Sequence, residues 1–443
     1  LLQGQEVSLP DPVQTGTGLE RAFNRRMSVR SFANTPVPDG HLSRILWGVD
    51  RMSGLAAWTR GRILVGMGEK IYEYRPDSLV LVRSDADLPS LRMFSAPASV
   101  YLLAEGEDND SLWLWRGMAG QAVYLIASAL EMGTVTVRGV GFPLGYPERP
   151  AEFLPVLFPA DSARLPLIDK KWKDLQACLE SAGTDTDASQ PLNRETWSSM
   201  LWASYGYSME QEEGRIHRTV PSARGRYPME VCTVQDSGVF RYLPGEHHLE
   251  KLGDRDLRPM LGDACGERWM ADSPGILVFF WNPEKMKSRG SALYESGAML
   301  VNTMLTGAAF HLPVRWALIE DTDKVNRILD MDTTLIPLAA VGVAAGAGVK
   351  EEYRDGVYTG EITEWPEMKV EVVVQGGKIT EIRILEDFGT PEFSKPVVEK
   401  MPPGMVARNS WDVDGVSGST LSSNHLKNAV REALKGAKEV PVR

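Results

Sequence analysis

The sequence predicts an α+β protein of three units: a unit of strands and helices that occurs twice in tandem, followed by a small α/β domain. Three observations predict it. The length of 443 residues leaves room for about three domains at roughly 150 residues each. Four landmarks recur in the same order within the first 350 residues, and beyond the glycine- and alanine-rich segment Gly342 to Gly348 the pattern changes to strand, glycine turn, strand and helix. The expected boundaries are 15–175 and 190–348 for the two copies and 350–438 for the last domain.

Hydrophobic residues make up 43% and charged residues 24% of the chain, which excludes collagen-like, coiled-coil and wholly disordered classes. Lys plus Arg number 48 against 59 Asp plus Glu, a net charge of −11. That sign argues against nucleic acid as a partner. The three cysteines, Cys178, Cys232 and Cys265, are too far apart for a CxxC metal site and odd in number, so they read as small buried hydrophobes. The histidines show no HxxxH or HExxH spacing, and no metal site is expected. The apolar stretch Leu335 to Val349 is interrupted by Pro337 and glycines and falls short of the roughly 20 residues of a membrane span. The chain opens at Leu1 without methionine on a polar lead, which reads as a product from which a tag or signal segment has been removed.

Each landmark of the repeat has a local reading. Leu46-Trp47 and Leu201-Trp202 end helical runs, 155 residues apart. Ile71 to Pro76 and Val239 to Pro244 are alternating strands closed by a proline. Ala96-Pro97 and Ser273-Pro274 each precede a continuous apolar run, Ser99 to Leu103 and Ile276 to Phe280, expected to be buried strands. Gly117 to Met132 and Tyr294 to Ala309 are helices rich in small residues, Gly120 answering Gly297 at a distance of 177 residues. Such helices can approach each other closely, which suits a central pair shared by the two copies.

Arg26-Met27-Ser28-Val29-Arg30, after the helical Leu19 to Asn24, brings two guanidiniums and a hydroxyl within five residues. That set can grip a phosphate and ribityl chain through forked, charge-assisted hydrogen bonds, although a solvated helix end has the same look. The motif resembles the RxSxR segment with which nitroreductase-like flavoproteins hold FMN. Pro221-Ser222-Ala223-Arg224-Gly225-Arg226-Tyr227-Pro228-Met229-Glu230 resembles the PSAGxxYPxE segment of the SagB-type branch, and the likeness extends over Thr15 to Gly348. In that superfamily each flavin lies in a dimer interface, taking RxSxR from one subunit and the PSxG loop from the other.

Here the two half-sites are divided between the copies. The first keeps Arg26, Ser28 and Arg30 but has Gly54 to Trp58 in place of a PSAG loop; the second keeps Pro221, Ser222 and Ala223 but has no RxSxR before Trp197. The resemblance therefore implies a nitroreductase-like sandwich duplicated into a pseudo-dimer with one non-covalent FMN at its interface. Pro313 to Ala317 falls where the family's loop passes beside the flavin ring, which makes Arg315 a candidate ligand, with a strand end as the alternative. Lys285-Met286 stands where some SagB-type oxidases carry Lys-Tyr, so their proton-handling pair is incomplete.

In the third unit Asp355 to Gly360 and Met368 to Val374 alternate, Gln375-Gly376-Gly377-Lys378 makes a turn, and Ile379 to Leu385 returns as a second strand. Val413-Asp414-Gly415-Val416-Ser417-Gly418-Ser419-Thr420 then leads into an amphipathic helix through Leu426, Val430 and Leu434. A helix start with small hydroxylated residues suits phosphate, and it is equally an ordinary Ser/Thr cap. The order of these segments across Tyr353 to Leu434, with Gly389-Thr390-Pro391 between strand and motif, resembles the FMN-binding domain of Rnf and sodium-pumping quinone reductase subunits. In that family a flavin transferase joins FMN through its phosphate to the threonine that corresponds to Thr420. Asp414 would be read by the transferase, Gly418 would let the backbone approach the phosphate, and Ser417 and Ser419 would flank it, with Ser419 in place of the usual alanine.

These resemblances imply an extracytoplasmic oxidoreductase, periplasmic or at the cell surface. Its covalent FMN would collect electrons from a membrane or haem donor, and the interface FMN would pass them to an electron-poor small molecule. No side chain stands out as catalytic acid or base; Tyr294 and Arg315 are candidates for mutation. A fused pair completes its own site, so a monomer suffices. The alternatives are an electron-transfer module without its own substrate and a SagB-type oxidase.

Overall fold

The computed structural model describes residues 6–8, 16–54, 61–86, 93–104, 109–149, 153–155, 173–183, 192, 194–208, 210–212, 217–343, 353–363, 367–408, 411, 413, 416 and 420–437. It forms two compact units, Leu1–Gly348 and Val349–Arg443.

The first unit is built on two antiparallel sheets. The strands β1 (Glu6–Ser8), β2 (Gly61–Met67), β3 (Lys70–Arg75), β4 (Val80–Ser84), β5 (Ala98–Ala104), β6 (Gly133–Thr134) and β7 (Gly141–Gly145) make the first, in the order β1-β4-β3-β2-β5-β7-β6. A separate ribbon pairs β8 (Phe153–Pro155) with β9 (Glu210–Glu212). The second sheet takes β10 (Met229–Gln235), β11 (Gly238–Leu243), β12 (His248–Gly253), β13 (Ile276–Trp281), β14 (Val314–Leu318) and β15 (Ile336–Val343) in the order β12-β11-β10-β13-β15-β14. With β1 set aside, the two orders are the same strand for strand.

The helices of this unit are α1 (Leu19–Arg25), α2 (Asp39–Ser53), α3 (Asp110–Ala129), α4 (Leu175–Ser181), α5 (Arg194–Tyr205), α6 (Arg258–Cys265), α7 (Trp269–Asp272), α8 (Arg289–Ala309) and α9 (Thr322–Leu329). The central pair is α3 and α8, each apolar almost all round and buried along nearly its whole length. Their N-termini are capped alike, Asn109 Oδ1 accepting from Leu112 N–H at 2.9 Å and Ser288 Oγ from Ser291 N–H at 3.2 Å. Small residues let the backbones touch. A Cβ on Gly117 would lie 1.9 Å from the Tyr294 carbonyl oxygen, and one on Gly297 would lie 2.2 Å from that of Leu114. Between them Gln121 Nε2 donates to Asn302 Oδ1 at 2.7 Å, and both amides donate to the Thr219 carbonyl.

The two halves of this unit share their interior. The core around the first sheet includes Trp202 and Ala203 of α5 and Val301, Met304 and Leu305 of α8, while the core of the second includes Leu114 of α3. Along β13 alternate residues serve two cores: Leu277, Phe279 and Trp281 face the α8 side, and Ile276, Val278 and Phe280 face α6, α7 and α9. Pro337 sits inside β15, opposite Phe280 and next to a register shift. An irregularity tolerates a residue that has no N–H to give.

In the second unit β16 (Gly356–Ile362), β17 (Met368–Gln375) and β18 (Lys378–Asp387) form an antiparallel meander, with α10 (Pro391–Arg408) and α11 (Thr420–Lys435). Met368, Val370, Val372 and Val374 face a core completed by Val397, Met401 and Met405 of α10 and Leu426, Val430 and Leu434 of α11. Gly376 and Gly377, with φ of 60° and 73°, make the tight hairpin turn that side chains would strain.

Several sequence expectations need correction. Leu46-Trp47 does not end a helix, because α2 runs through Gly48 to Ser53; that glycine makes room for Ile126 of α3, whose Cδ1 would lie 2.1 Å from a Cβ there. Pro313 to Ala317 is largely strand β14, not a loop. Helix α10 was not expected, since Pro396, Pro402 and Pro403 lie inside it and proline ordinarily ends a helix. Cys178 and Cys232 are buried, but Cys265 at the end of α6 is only half-buried. Among the described residues no helix is long and apolar enough to cross a membrane.

Candidate functional site

The site lies on the seam between the two sheet-and-helix halves of the first unit. Helix α1 buries Leu19, Ala22 and Phe23, and Phe23 meets the Trp202 ring of α5 edge-on at 5.9 Å. The chain leaves α1 in extended conformation at Arg26, which drives that side chain inward to 2% exposure. Its guanidinium crosses the seam, Nε and Nη2 donating to the Arg218 carbonyl at 3.2 and 3.0 Å. It also lies over the Tyr124 ring of α3, 5.3 Å from the centroid. Nη1 is buried without a hydrogen-bond partner. Ser28 Oγ is 3.3 Å from the Tyr124 hydroxyl, which accepts from Thr136 N–H at 2.8 Å.

The second half of the unit supplies the opposite wall. Arg218 is held in a cage of rings, 4.4 Å from Tyr205, 4.8 Å from Tyr207 and 4.7 Å from Tyr227, and its Nε is also buried without a partner. Ser222 Oγ accepts from Tyr227 N–H at 2.8 Å, closing the loop that follows Pro221. Arg224 and Tyr227 in this loop take left-handed φ of 58° and 47°. Such backbone costs on the order of 1 kcal/mol per residue and persists where the surroundings fix it, as binding loops do.

Between the walls stands Glu295, 1% exposed on α8. Its Oε1 accepts from the Tyr205 hydroxyl at 2.5 Å, and Tyr205 in turn accepts from Met229 N–H at 3.1 Å. Oε2 is buried with no hydrogen bond of ordinary geometry. Burial pushes the Glu295 carboxyl up to about 7, against the opposing pull of the Ser222 and Tyr205 hydroxyls and the Arg218 and Arg26 guanidiniums. Burial, and then the Glu295 charge, hold the Tyr205 phenol well above its usual range.

The structure thus gathers Arg26, Ser28, Pro221 and Ser222 around one seam. Arg30 and Ala223 are exposed at its margin. Arg315 stands apart: alternation along β14 puts it on the face of Ala317, which joins the outer core, while Val314 and Trp316 pack toward the shared interior. Asp414, Ser417, Gly418 and Ser419 lie outside the described residues. Thr420 is the first residue of α11, and just before it Val416 N–H donates to the buried Ser423 Oγ at 3.0 Å. Lys285 is exposed and paired with Glu230 at 3.2 Å. Tyr294 is buried, with its hydroxyl over Gly120.

Glu295, Tyr205 and Arg218 were missed in the sequence. Glu295 did leave a signal, because it is the single charged residue between Arg289 and Ala309 in an otherwise apolar helix. Tyr205 and Arg218 left none, since their roles depend on the folding of the segment between α5 and β10.

Comparison with known proteins bears on both units. Residues 365–435 match the family model of the FMN-binding domain. A protein of Methanocaldococcus jannaschii described as a nitroreductase is 32% identical over 104 residues, 22% of this chain, and the chain spans about half the length of that relative. A crystal structure from Anabaena variabilis, likewise described as a nitroreductase, is 12% identical with a TM-score of 0.52, over 78% of this chain and 92% of that one. The chain joins a nitroreductase-like fold to an FMN-binding domain. A Ralstonia eutropha protein of the same description is 26% identical over 44% of this chain and 99% of its own, with a TM-score of 0.36.

The seam of the nitroreductase-like unit fits a phosphorylated flavin. Two guanidiniums each keep a buried nitrogen unpartnered, and two serine hydroxyls stand beside them. A surplus of donors around one carboxyl that is easily neutralised suits an anionic ligand.

Proposed function

We propose that the protein is an FMN-dependent oxidoreductase with one flavin in each unit, arisen by tandem duplication of a nitroreductase-like ancestor. The observation that carries this reading is the convergence of Arg26 from the first copy and Ser222 from the second on the same buried carboxyl of α8. The shared strand order of the two sheets supports duplication, and the Pro221 to Glu230 segment supports the SagB-type branch.

FMN, when bound, supplies transfer of an electron pair as hydride. The chain's own residues bind and orient it. Arg26 offers Nη1 to an anionic oxygen while its other nitrogens stay on the Arg218 carbonyl, so the guanidinium is already oriented. Ser28 offers a hydroxyl held by Tyr124, and the Ser222 loop is shaped by its own hydrogen bond to Tyr227. Asn302 and Gln121 fix the Thr219 carbonyl between the two central helices and so hold the wall that carries Arg218.

In the FMN-binding domain we place covalent FMN on Thr420 at the start of α11, attached by a flavin transferase, with Asp414, Ser417, Gly418 and Ser419 forming the recognised approach. The helix start favours a phosphate ester there. A covalent tether suits an extracytoplasmic site, where a dissociated cofactor is lost; electrons would enter from a membrane or haem donor and leave to an electron-poor small molecule.

Equilibrium titration of the full chain with FMN tests the seam site. Arg26→Ala should raise the Kd about 10- to 100-fold, the loss of one charge-assisted bond of about 1.5–3 kcal/mol. Unchanged affinity would remove the site.

A further inference from the structure

Glu295 has no part in holding the flavin as described above, yet its buried carboxyl is acted on by groups from both copies. We propose that Glu295 is a redox-linked proton site: it takes up one proton when an electron pair reaches the flavin held at the seam, and gives it back on reoxidation. This deepens the reading of the seam as a flavin site and rests on it.

The geometry sets the direction. Oε1 is engaged by the Tyr205 hydroxyl, while Oε2 is buried without a hydrogen bond of ordinary geometry and the Ser222 hydroxyl is the other donor beside the carboxyl, so the proton belongs on Oε2. The groups that act on the carboxyl come from every side: Tyr205 from α5, Arg218 and Ser222 from the segment before β10, and Arg26 from the first copy. Tyr227 and Tyr207 reach it only through Arg218, and Tyr124 and Tyr294 stand next to Arg26. Glu295 is the carboxylate on which both the Arg218 and the Arg26 guanidiniums act. With burial already moving the group up to about 7, one more negative charge nearby favours its neutral form further.

The balance is two electrons and two protons. Oxidised FMN takes two electrons and one proton to its anionic reduced form, and the Glu295 carboxylate takes the second proton to become the acid. The electrons come from the reductant, dithionite in the experiment below and the proposed donor in turnover, and both protons come from solvent.

The test measures the midpoint potential against pH for the full chain made without a flavin transferase and loaded with FMN. Above the pH at which Glu295 loses its proton in the oxidised complex the wild-type slope should be about twice that of Glu295→Gln, because uptake of a second proton is lost in the variant; below it the slopes should coincide. Equal slopes throughout would overturn the proposal. Tyr205→Phe keeps the carboxyl and removes a bond that favours its charged form, so the break should move to higher pH; a break that moves lower would contradict the assignment. In the flavin-free protein, infrared difference spectra should show a protonated carboxyl at pH 6 that Glu295→Gln abolishes, and its absence would equally count against the proposal. Arg26→Ala separates the two claims. If it leaves FMN binding intact, the site reading fails and the proposal with it; if it abolishes binding while wild-type and Glu295→Gln slopes agree, the proton site alone fails.

Discussion

Arg26 is 2% exposed and donates two of its nitrogens to a single carbonyl of the other half of its unit, which makes it both a clamp on the seam and a reserved donor. Glu295 has the opposite character, since its burial is a cost that depends on pH. Its ionisation is raised to about 7 in the folded chain from the ordinary carboxylate range of about 4.3 when unfolded. In that window the unfolded state has lost its proton and the folded state has kept it, so stability falls as pH rises from about 4.3 to about 7. The fall is on the order of 3 kcal/mol for flavin-free protein. Denaturant titrations at pH 5 and 7.5 should show that loss in wild type and its absence in Glu295→Gln; parallel behaviour would mean that the carboxyl is not held neutral. The arginine was legible in the sequence from its neighbours Ser28 and Arg30. The glutamate's importance was not, because nothing local says that α5 and the Ser222 loop will close over it.

At the level of elements, helices α3 and α8 carry the argument. Their small residues could be read from the sequence as permission for close approach, and Gly117 and Gly297 do lie against the opposing backbone. Replacing Gly117 with Val would force the pair apart, since even a Cβ would lie 1.9 Å from the Tyr294 carbonyl oxygen. Overpacking of this kind costs about 1–3 kcal/mol or more, and because Tyr294 precedes Glu295 the variant should lose FMN affinity along with thermal stability. A variant as stable as wild type would show that the helices do not meet there. The strands were legible because alternation, continuous apolar runs and glycine turns are local signals. Helix α10 was not, because its three internal prolines argue against it locally while Val397, Met401 and Met405 hold it by burial in the core. Arg315 was misjudged for a related reason: strand alternation, not distance along the chain, decides which face it takes.

At the level of the whole molecule, two compact units divide the proposed chemistry, one flavin dissociable and one tethered. The proposed single seam site rests on the different half-sites that the two halves of the first unit carry, Arg26 and Ser28 in one and Pro221 and Ser222 in the other. The division was readable only because the repeat could be aligned, whereas the convergence of the retained halves needed the fold. Thr420→Ala should abolish the tethered flavin and leave the seam flavin in place, as read by in-gel fluorescence and by FMN released into the filtrate. Flavin stoichiometry of the full chain produced with a flavin transferase is the most direct measurement: one FMN that stays with the chain after denaturation and one that is released, the released one alone falling in Arg26→Ala. Release of two, or of one that persists in full without Arg26, would contradict the account.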